Sequence, residues 1–319
     1  MESFPEDVQN AIIDCLFEMG EHANEVTMHI PKTKYPKLFE IDGILQQPFV
    51  SKKNLYSARE LVPRDDDVFV VTTPKSGTTW NLFICLNLLR DNYMKGGSQE
   101  MFTDAPFLES FTKEVLDMFP VRRIFKTHFY YDWIPKSKTA KYIYTVRNPK
   151  DVLISYFHHI RNMKINEWED GDFNVMFDMF MNDRIESGGY FMHVKSWLPH
   201  IHEENVLFLV YEEMCRDLKG NIIKIAKFLG GKANKVLENE KILDEVVETC
   251  TFKSMKDKND LFSSDITMRT KTFIRKGGSK NWKKYLTKEQ SDLIDAKFNE
   301  YFKGTILENL WIDEMTWDD

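Results

Sequence analysis

The chain has 319 residues, enough for one large core or two small ones, and 42% of them are apolar. Its formal charge of −7 argues against nonspecific binding to nucleic acid or to an anionic membrane, while allowing a local basic pocket. Cys15, Cys85, Cys215 and Cys250 are scattered without a C-x-x-C pair, which favours reduced thiols over a disulfide or zinc framework.

Taken in chain order, residues 1–7 lack the basic and apolar stretches of a signal peptide. No apolar run approaches the roughly 20 residues needed to span a bilayer, so a cytoplasmic location is expected. Val8, Ile12, Cys15, Leu16 and Met19 recur at helical spacing and predict an amphipathic helix over 7–20. Residues 26–64 carry Pro31, Pro36, Pro48 and Pro63 and are expected to be irregular. Residues 1–60 are thus read as a helix and an irregular segment packed on a main domain, 61–319. A first strand is expected at Val68–Thr72, then a loop, then a helix from about Thr78 to Arg90. Gly96-Gly97-Ser98 marks a turn. Strands at Arg123–Thr127 and Lys141–Val146 lead into His128 and Arg147. Asn148 as N-cap and Pro149 at the first helical position open a helix to about Met163. Helices follow near 174–184 and 190–199, then a strand at Val206–Val210 reaching Tyr211, then helices near 217–229 and 240–248. Residues 256–272 are polar and mixed in charge and read as a mobile lid. The last helix runs from about Lys288 to Phe302. Short apolar strands alternating with helices predict a single α/β domain with a central parallel sheet flanked by helices.

The loop Thr72-Thr73-Pro74-Lys75-Ser76-Gly77-Thr78-Thr79-Trp80 follows the apolar run 68–71. A buried strand ending in a Gly/Ser/Thr turn that opens a helix makes an anion site, because free backbone N–H groups and the helix dipole converge there. Set over the ATPase pattern G-x-x-x-x-G-K-[ST], Thr72 stands at the first Gly, Gly77 fits, and Thr78 replaces the Lys. This P-loop-like strand–loop–helix therefore suits a phosphate-containing donor other than ATP. Most of the remaining chemical residues fall at the carboxyl ends of strands, where parallel sheets bind ligands: His128 after the second, Arg147 after the third, Tyr211 after the fourth. The doublets His158-His159 and His200-Ile201-His202 lack an obvious third ligand, and no metal is expected.

These residues carry a resemblance. The chain resembles the cytosolic sulfotransferases in Thr73-Pro74-Lys75-Ser76-Gly77-Thr78-Thr79-Trp80, in Lys126-Thr127-His128, and in 146–152 (Val-Arg-Asn-Pro-Lys-Asp-Val) with Ser155-Tyr156. It also resembles them in 210–214 (Val-Tyr-Glu-Glu-Met), in 251–255 (Thr-Phe-Lys-Ser-Met) and in Phe273-Ile274-Arg275-Lys276-Gly277. The match runs in order from about Val68 to Phe302. It implies a donor, 3′-phosphoadenosine-5′-phosphosulfate (PAPS), and sulfuryl transfer to a hydroxyl or amine of a small acceptor, with 3′-phosphoadenosine-5′-phosphate (PAP) as product.

By that resemblance Lys75 and the Ser76, Gly77, Thr78 and Thr79 amides hold the 5′-phosphosulfate, and Lys75 stabilises the leaving oxygen. His128 is the implied general base, assisted by Lys126 on the transferring group. Arg147 and Ser155 match the 3′-phosphate ligands. An Arg suits bidentate phosphate binding, and Ser155 lies about 9 Å along the helix that starts after Arg147. Arg275, Lys276 and Gly277 resemble the segment that closes over the same phosphate. Trp80 and Phe252 would sandwich the adenine and Tyr211 would hydrogen-bond it, with Cys250, Met255 and Phe273 nearby. Phe107 resembles an acceptor-gate residue.

The chain departs from the family pattern at four points. In the closing segment R-K-G-x-x-G-D-W, Lys280 stands for the second Gly and Asn281 for the Asp; Asn is expected to serve as a helix cap and Gly278 to supply the lost freedom. Phe129-Tyr130 follow His128 where Leu-Pro is usual, which should alter the acceptor wall. Cys250 stands where a Thr is common. The dimer motif K-x-x-x-T-V-x-x-x-E appears only as Lys283, Thr287-Lys288 and Asp292, which predicts a monomer or a weak homodimer. Other readings are a P-loop kinase, a non-catalytic PAP-binding protein, and a dehydratase that sulfates an alcohol and then eliminates sulfate.

Overall fold

In the computed structural model the described residues are Ala11, 34–90, 101–120, 122–262, 268–270 and 273–317. The helix expected over 7–20 apart from Ala11, the turn at 96–98, and residues 263–267 and 271–272 of the expected lid lie outside them.

Four short strands make the central sheet: β3 (Val68–Thr72), β4 (Ile124–Thr127), β5 (Lys141–Val146) and β6 (Val206–Val210). All pairings are parallel, in the order β4-β3-β5-β6. Each strand is an apolar run because both faces are covered. Alternation sends Phe69 and Val71 to one face, with Phe125, Tyr142 and Tyr144, and sends Val68 and Val70 to the other, with Ile124, Ile143 and Leu209. The helix Thr78–Leu89 is apolar almost all round and is correspondingly buried, from Leu82 through Leu86. A fork of ion pairs sets the register of β3 against β4: Arg123 Nε reaches Asp67 Oδ1 at 2.8 Å, and its second nitrogen reaches Oδ2 at 2.5 Å.

The chain leaves β3 to one side to form β4, then crosses to the other side for β5. The carboxyl end of β3 is therefore a topological switch point, where open sheets bind ligands.

Residues 34–60 are more regular than their prolines suggested. Phe39–Ile41 (β1) and Ile44–Gln46 (β2) form an antiparallel hairpin, and Lys52–Arg59 is a helix capped by Ser51 Oγ accepting from Asn54 N at 3.1 Å. Pro48 and Pro63 flank this helix rather than interrupt it. Ile41, Val50, Leu55 and Ala58 join the same core as Phe69, so the segment is part of the main body.

Residues 311–315 dock on the segments that follow β5 and β6. Trp311 Nε1 donates to Glu212 Oε2 at 2.8 Å, Asn148 Nδ2 and Trp282 Nε1 donate to the Glu314 carbonyl, and buried Lys150 Nζ donates to the Met315 carbonyl at 2.6 Å. No helix among the described residues is long and apolar enough to cross a membrane.

Candidate functional site

The loop after β3 is wound tightly by its own hydroxyls. Thr72 Oγ1 and Thr78 Oγ1 lie 2.6 Å apart, as do Thr73 Oγ1 and Ser76 Oγ. Lys75 adopts φ +71°, a left-handed conformation costing about 1–3 kcal/mol in a non-glycine residue. Gly77 has φ +99°, and a Cβ there would come within 3.0 Å of the Tyr211 ring. The first hydrogen bond of the helix is Asn81 N to the Gly77 carbonyl. The N–H groups of Thr78, Thr79 and Trp80 are therefore unspent within the helix and face the loop.

Three cations converge on this loop. Arg147 donates to the Lys75 carbonyl at 3.0 Å and to the Gly278 carbonyl at 3.2 Å, and lies over the Tyr211 ring at 4.2 Å. Its Nε is buried with no partner. Lys75 Nζ sits 4.7 Å from the Phe273 ring centroid and Lys126 Nζ 4.5 Å from that of Phe107. Neither ammonium makes a hydrogen bond or ion pair among the described residues. Burial, with Lys126, Arg147 and Arg275 in electrostatic reach, pushes Lys75 down to about 7; burial also lowers Lys126. Unpaired buried cations beside an orphaned guanidinium nitrogen and a row of free amides fit a polyanion.

His128 stands at the end of β4, next to the end of β3. Its Nδ1 lies 2.7 Å from the Thr72 carbonyl. A carbonyl only accepts, so Nδ1 carries the proton and Nε2 is a free acceptor. Burial, with Lys126 and Lys75 near, holds the imidazole well below its ordinary range and hence neutral. Glu109 fixes the backbone here: its Oε1 accepts from His128 N at 2.6 Å and Thr127 Oγ1 at 3.0 Å. Burial raises the Glu109 carboxyl to about 7. Phe107 closes the far side, 5.4 Å from His128 between ring centroids and bridged to Lys126 along the backbone.

The aromatic residues occupy the opposite flank. Trp80 meets Tyr211 edge to face at 5.6 Å, and its Nε1 donates to the Cys250 carbonyl at 2.8 Å. Phe252 is half-exposed against Gly277, where a Cβ would lie 2.6 Å from its ring. Cys250 and Met255 are buried in the core beneath. Ser155 is half-buried on the helix Pro149–Asn162, which Asn148 caps as expected. Phe273 and Arg275 are half-buried and Lys276 is exposed.

The closing segment is held differently from the expectation. Asn281 does not cap a helix; its side chain donates to the Gly277 carbonyl at 3.1 Å. The cap is Asp151, whose carboxylate accepts from the backbone N–H of Lys280, Asn281 and Trp282 at 2.7, 2.9 and 3.3 Å. Lys280 takes φ +63°, a left-handed conformation that suits glycine. Phe129, expected on the acceptor wall, is buried in the core, and Tyr130 bonds the Gly188 carbonyl. In the weakened dimer motif, Thr287 forms a capping box with Gln290, and Lys288 pairs with Asp292 four residues on. The sequence reading gave no role to Glu109, or to Asp151, which it quoted only within the 146–152 motif. A carboxylate inside an apolar run, as Glu109 is in Ala105-Pro106-Phe107-Leu108-Glu109, was the one available signal.

The sulfotransferase domain family matches residues 65–306. The amine sulfotransferase of Oryctolagus cuniculus is 35% identical over 279 residues, covering 83% of this chain and 90% of that protein. Sulfotransferase 1E1 of Bos taurus is 31% identical over 271 residues, covering 80% and 90%. Among solved structures, mouse sulfotransferase SULT7A1 complexed with PAP superposes with a TM-score of 0.72 at 27% identity, covering 86% of this chain and 98% of that one. A retinol dehydratase in a complex with retinol and PAP gives 0.70 at 25%, covering 81% and 88%. With a domain match over most of its length and relatives above 30% identity, this chain belongs to the sulfotransferase family and is a transferase.

Proposed function

We propose that the chain transfers a sulfuryl group from PAPS to a hydroxyl or amine of a small aromatic or lipophilic acceptor. The observation that carries this reading is the tautomer of His128: a buried, neutral imidazole with Nδ1 tied to Thr72 and Nε2 free, beside two unpaired lysines. PAP in similar structures supports the nucleotide assignment.

Lys75 and the amides of 77–79 would hold the 5′ end of the nucleotide, the Ser76 amide being spent on the Thr73 carbonyl at 3.2 Å. Arg147, Ser155 and 275–277 would hold the 3′-phosphate, and Trp80, Tyr211 and Phe252 the adenine. The donor supplies an activated sulfuryl group; the chain supplies position and charge. His128 Nε2 takes the proton from the acceptor as its oxygen or nitrogen attacks sulfur. Lys126 and Lys75 would meet the charge that builds on the transferring and leaving oxygens, and having no ion pair among the described residues leaves both free for that task. We extend the reading to a cytoplasmic monomer or weak homodimer, since Lys288 and Asp292 satisfy each other within one helix. Light scattering checks the latter.

The test is labelled-sulfate transfer from PAPS across phenols, amines, steroids and retinoids. Replacing a positioned base costs about 10²–10⁴-fold, so His128→Ala should lose that much turnover while still binding PAP. Transfer by the folded variant at the wild-type rate would remove the proposed base.

A further inference from the structure

The closing segment 273–282 is a strap tied to the donor loop at two places. The Phe273 ring lies 4.7 Å from Lys75 Nζ, and the Gly278 carbonyl accepts from Arg147 at 3.2 Å. Its charge is unlike that of the chain as a whole. From Phe273 to Lys288 stand Arg275, Lys276, Lys280, Lys283, Lys284 and Lys288 with no carboxylate among them, although the net charge of the protein is −7. The two departures of the strap from the pattern R-K-G-x-x-G-D-W also point one way. Lys280 in place of a Gly adds a positive charge, and Asn281 in place of an Asp removes a negative one.

Lys280 is held where a side chain is unwelcome. Its φ of +63° is disfavoured for any residue with a Cβ and free for glycine. The turn does not need the lysine, because backbone groups and other side chains fix it. Asp151 accepts from Lys280 N at 2.7 Å, Asn281 Nδ2 donates to the Gly277 carbonyl at 3.1 Å, and Arg147 holds Gly278. The Lys280 ammonium itself makes no hydrogen bond or ion pair among the described residues. Lys276 and Lys284 are exposed and unpaired in the same sense, whereas Lys288 is matched by Asp292. The one carboxylate bonded to the turn, Asp151, is 1% exposed and turned inward on three N–H groups. A cation kept at a strained backbone position, unpaired and in water, beside Arg147, is placed to act through its field rather than through a contact.

We propose that Lys280 is a donor-capturing residue: with Lys276 and Lys284 it forms an exposed cationic lip that draws a 3′,5′-bisphosphorylated adenine nucleotide into the cleft and sets its rate of entry. This deepens the PAPS-dependent reading and rests on it. An acidic protein repels such a ligand at long range, and the lip reverses the sign of the field where the ligand must enter. One charge about 10 Å from a ligand carrying about four negative charges changes the encounter rate about threefold in water at low salt.

The experiment is stopped-flow tryptophan fluorescence of PAP binding to wild type, Lys280→Gly, Lys280→Arg and the double variant Lys280→Gly with Lys284→Gln. At about 0.05 M salt the single Gly variant should associate about threefold more slowly and the double variant about tenfold, with dissociation within about twofold of wild type. Lys280→Arg should keep the wild-type rate. At about 1 M salt, where charges act over only about 3 Å, all four should converge. Adenosine 5′-phosphosulfate, which lacks the 3′-phosphate, should be slowed less. Turnover at saturating PAPS should stay within about twofold. Glycine suits this turn, so Lys280→Gly should melt no lower than wild type, and slower capture is then not a loss of fold. Faster dissociation with unchanged association would make Lys280 a direct ligand and overturn the proposal; so would equal association rates at low salt. Wild-type association that does not slow as salt rises overturns it even if a variant does not fold. Salt-sensitive, Lys280-dependent capture of PAP with no labelled-sulfate transfer to any acceptor would instead overturn the transfer reading and leave the lip standing.

Discussion

The two halves of the cleft are built in opposite ways. The proposed donor half draws mainly on contiguous stretches: 72–80 after β3, 147–155 at the end of β5 and on the helix Pro149–Asn162, and 273–282, with Tyr211 and Phe252 added singly. The proposed acceptor half is assembled from single residues on separate elements, with Phe49 against Phe107 and Phe107 beside Lys126 and His128. A polyanion of fixed shape can be met by backbone amides and short local motifs. A variable acceptor is met by side chains carried on whatever elements reach it. Changes on the donor half should therefore cost every acceptor equally, and changes on the acceptor half should sort acceptors from one another.

The strongest way to break this division is Lys75→Met. Removing a cation aimed at developing charge costs about 10²–10³-fold, and kcat/KM should fall by that factor for all acceptors alike. A ranking of acceptors that reorders in this variant would blur the two halves. Next in size is Gly277→Ala. Its left-handed φ of +65° and the Phe252 ring 2.6 Å from a new Cβ force the strap away from the adenine side, and PAP affinity should drop at least tenfold by calorimetry. Asp151→Asn should act in the same direction through one charge removed from three backbone donors. It should weaken PAP about three- to tenfold without touching acceptor order.

A pH titration sharpens the comparison further. Lys75 has been pushed down to about 7 by burial and by its cationic neighbours, and only its protonated form attracts the nucleotide. PAP binding should take up protons near pH 8, and its affinity should decline as pH rises from 7 to 9. Lys75→Met should flatten this decline, measured by calorimetry in buffers of different ionisation enthalpy. The smallest effect expected is on stability: Lys280→Gly relieves a left-handed non-glycine residue and should stabilise by about 0.5–1 kcal/mol in urea unfolding.

The division also explains what the sequence disclosed. Val68–Thr72, Lys141–Val146, Val206–Val210 and Lys288–Phe302 have the bounds expected of them, because each is an unbroken apolar run or a helix with a side-chain cap. The switch-point site followed from what stood at the strand ends. The helix Lys52–Arg59 was hidden by flanking prolines, and Tyr211–Arg216, Gly231–Val236 and Phe252–Asp257 are too short to show a period. Asp151 stood within the 146–152 motif, but nothing there marked it as the cap of a segment 130 residues later.

The docking of residues 311–315 bears on how the protein comes to be competent. Glu212 and Asn148 flank Arg147 and Tyr211, and each completes its hydrogen bonding only with Trp311 or Glu314, more than ninety positions downstream. Such distant closures come late in folding, after local helices and neighbouring strands have formed. A growing polypeptide would therefore complete the sheet well before it could grip its nucleotide. Clipping the chain ahead of Trp311 should leave a folded but slack scaffold, with Arg147 no longer braced from the rear.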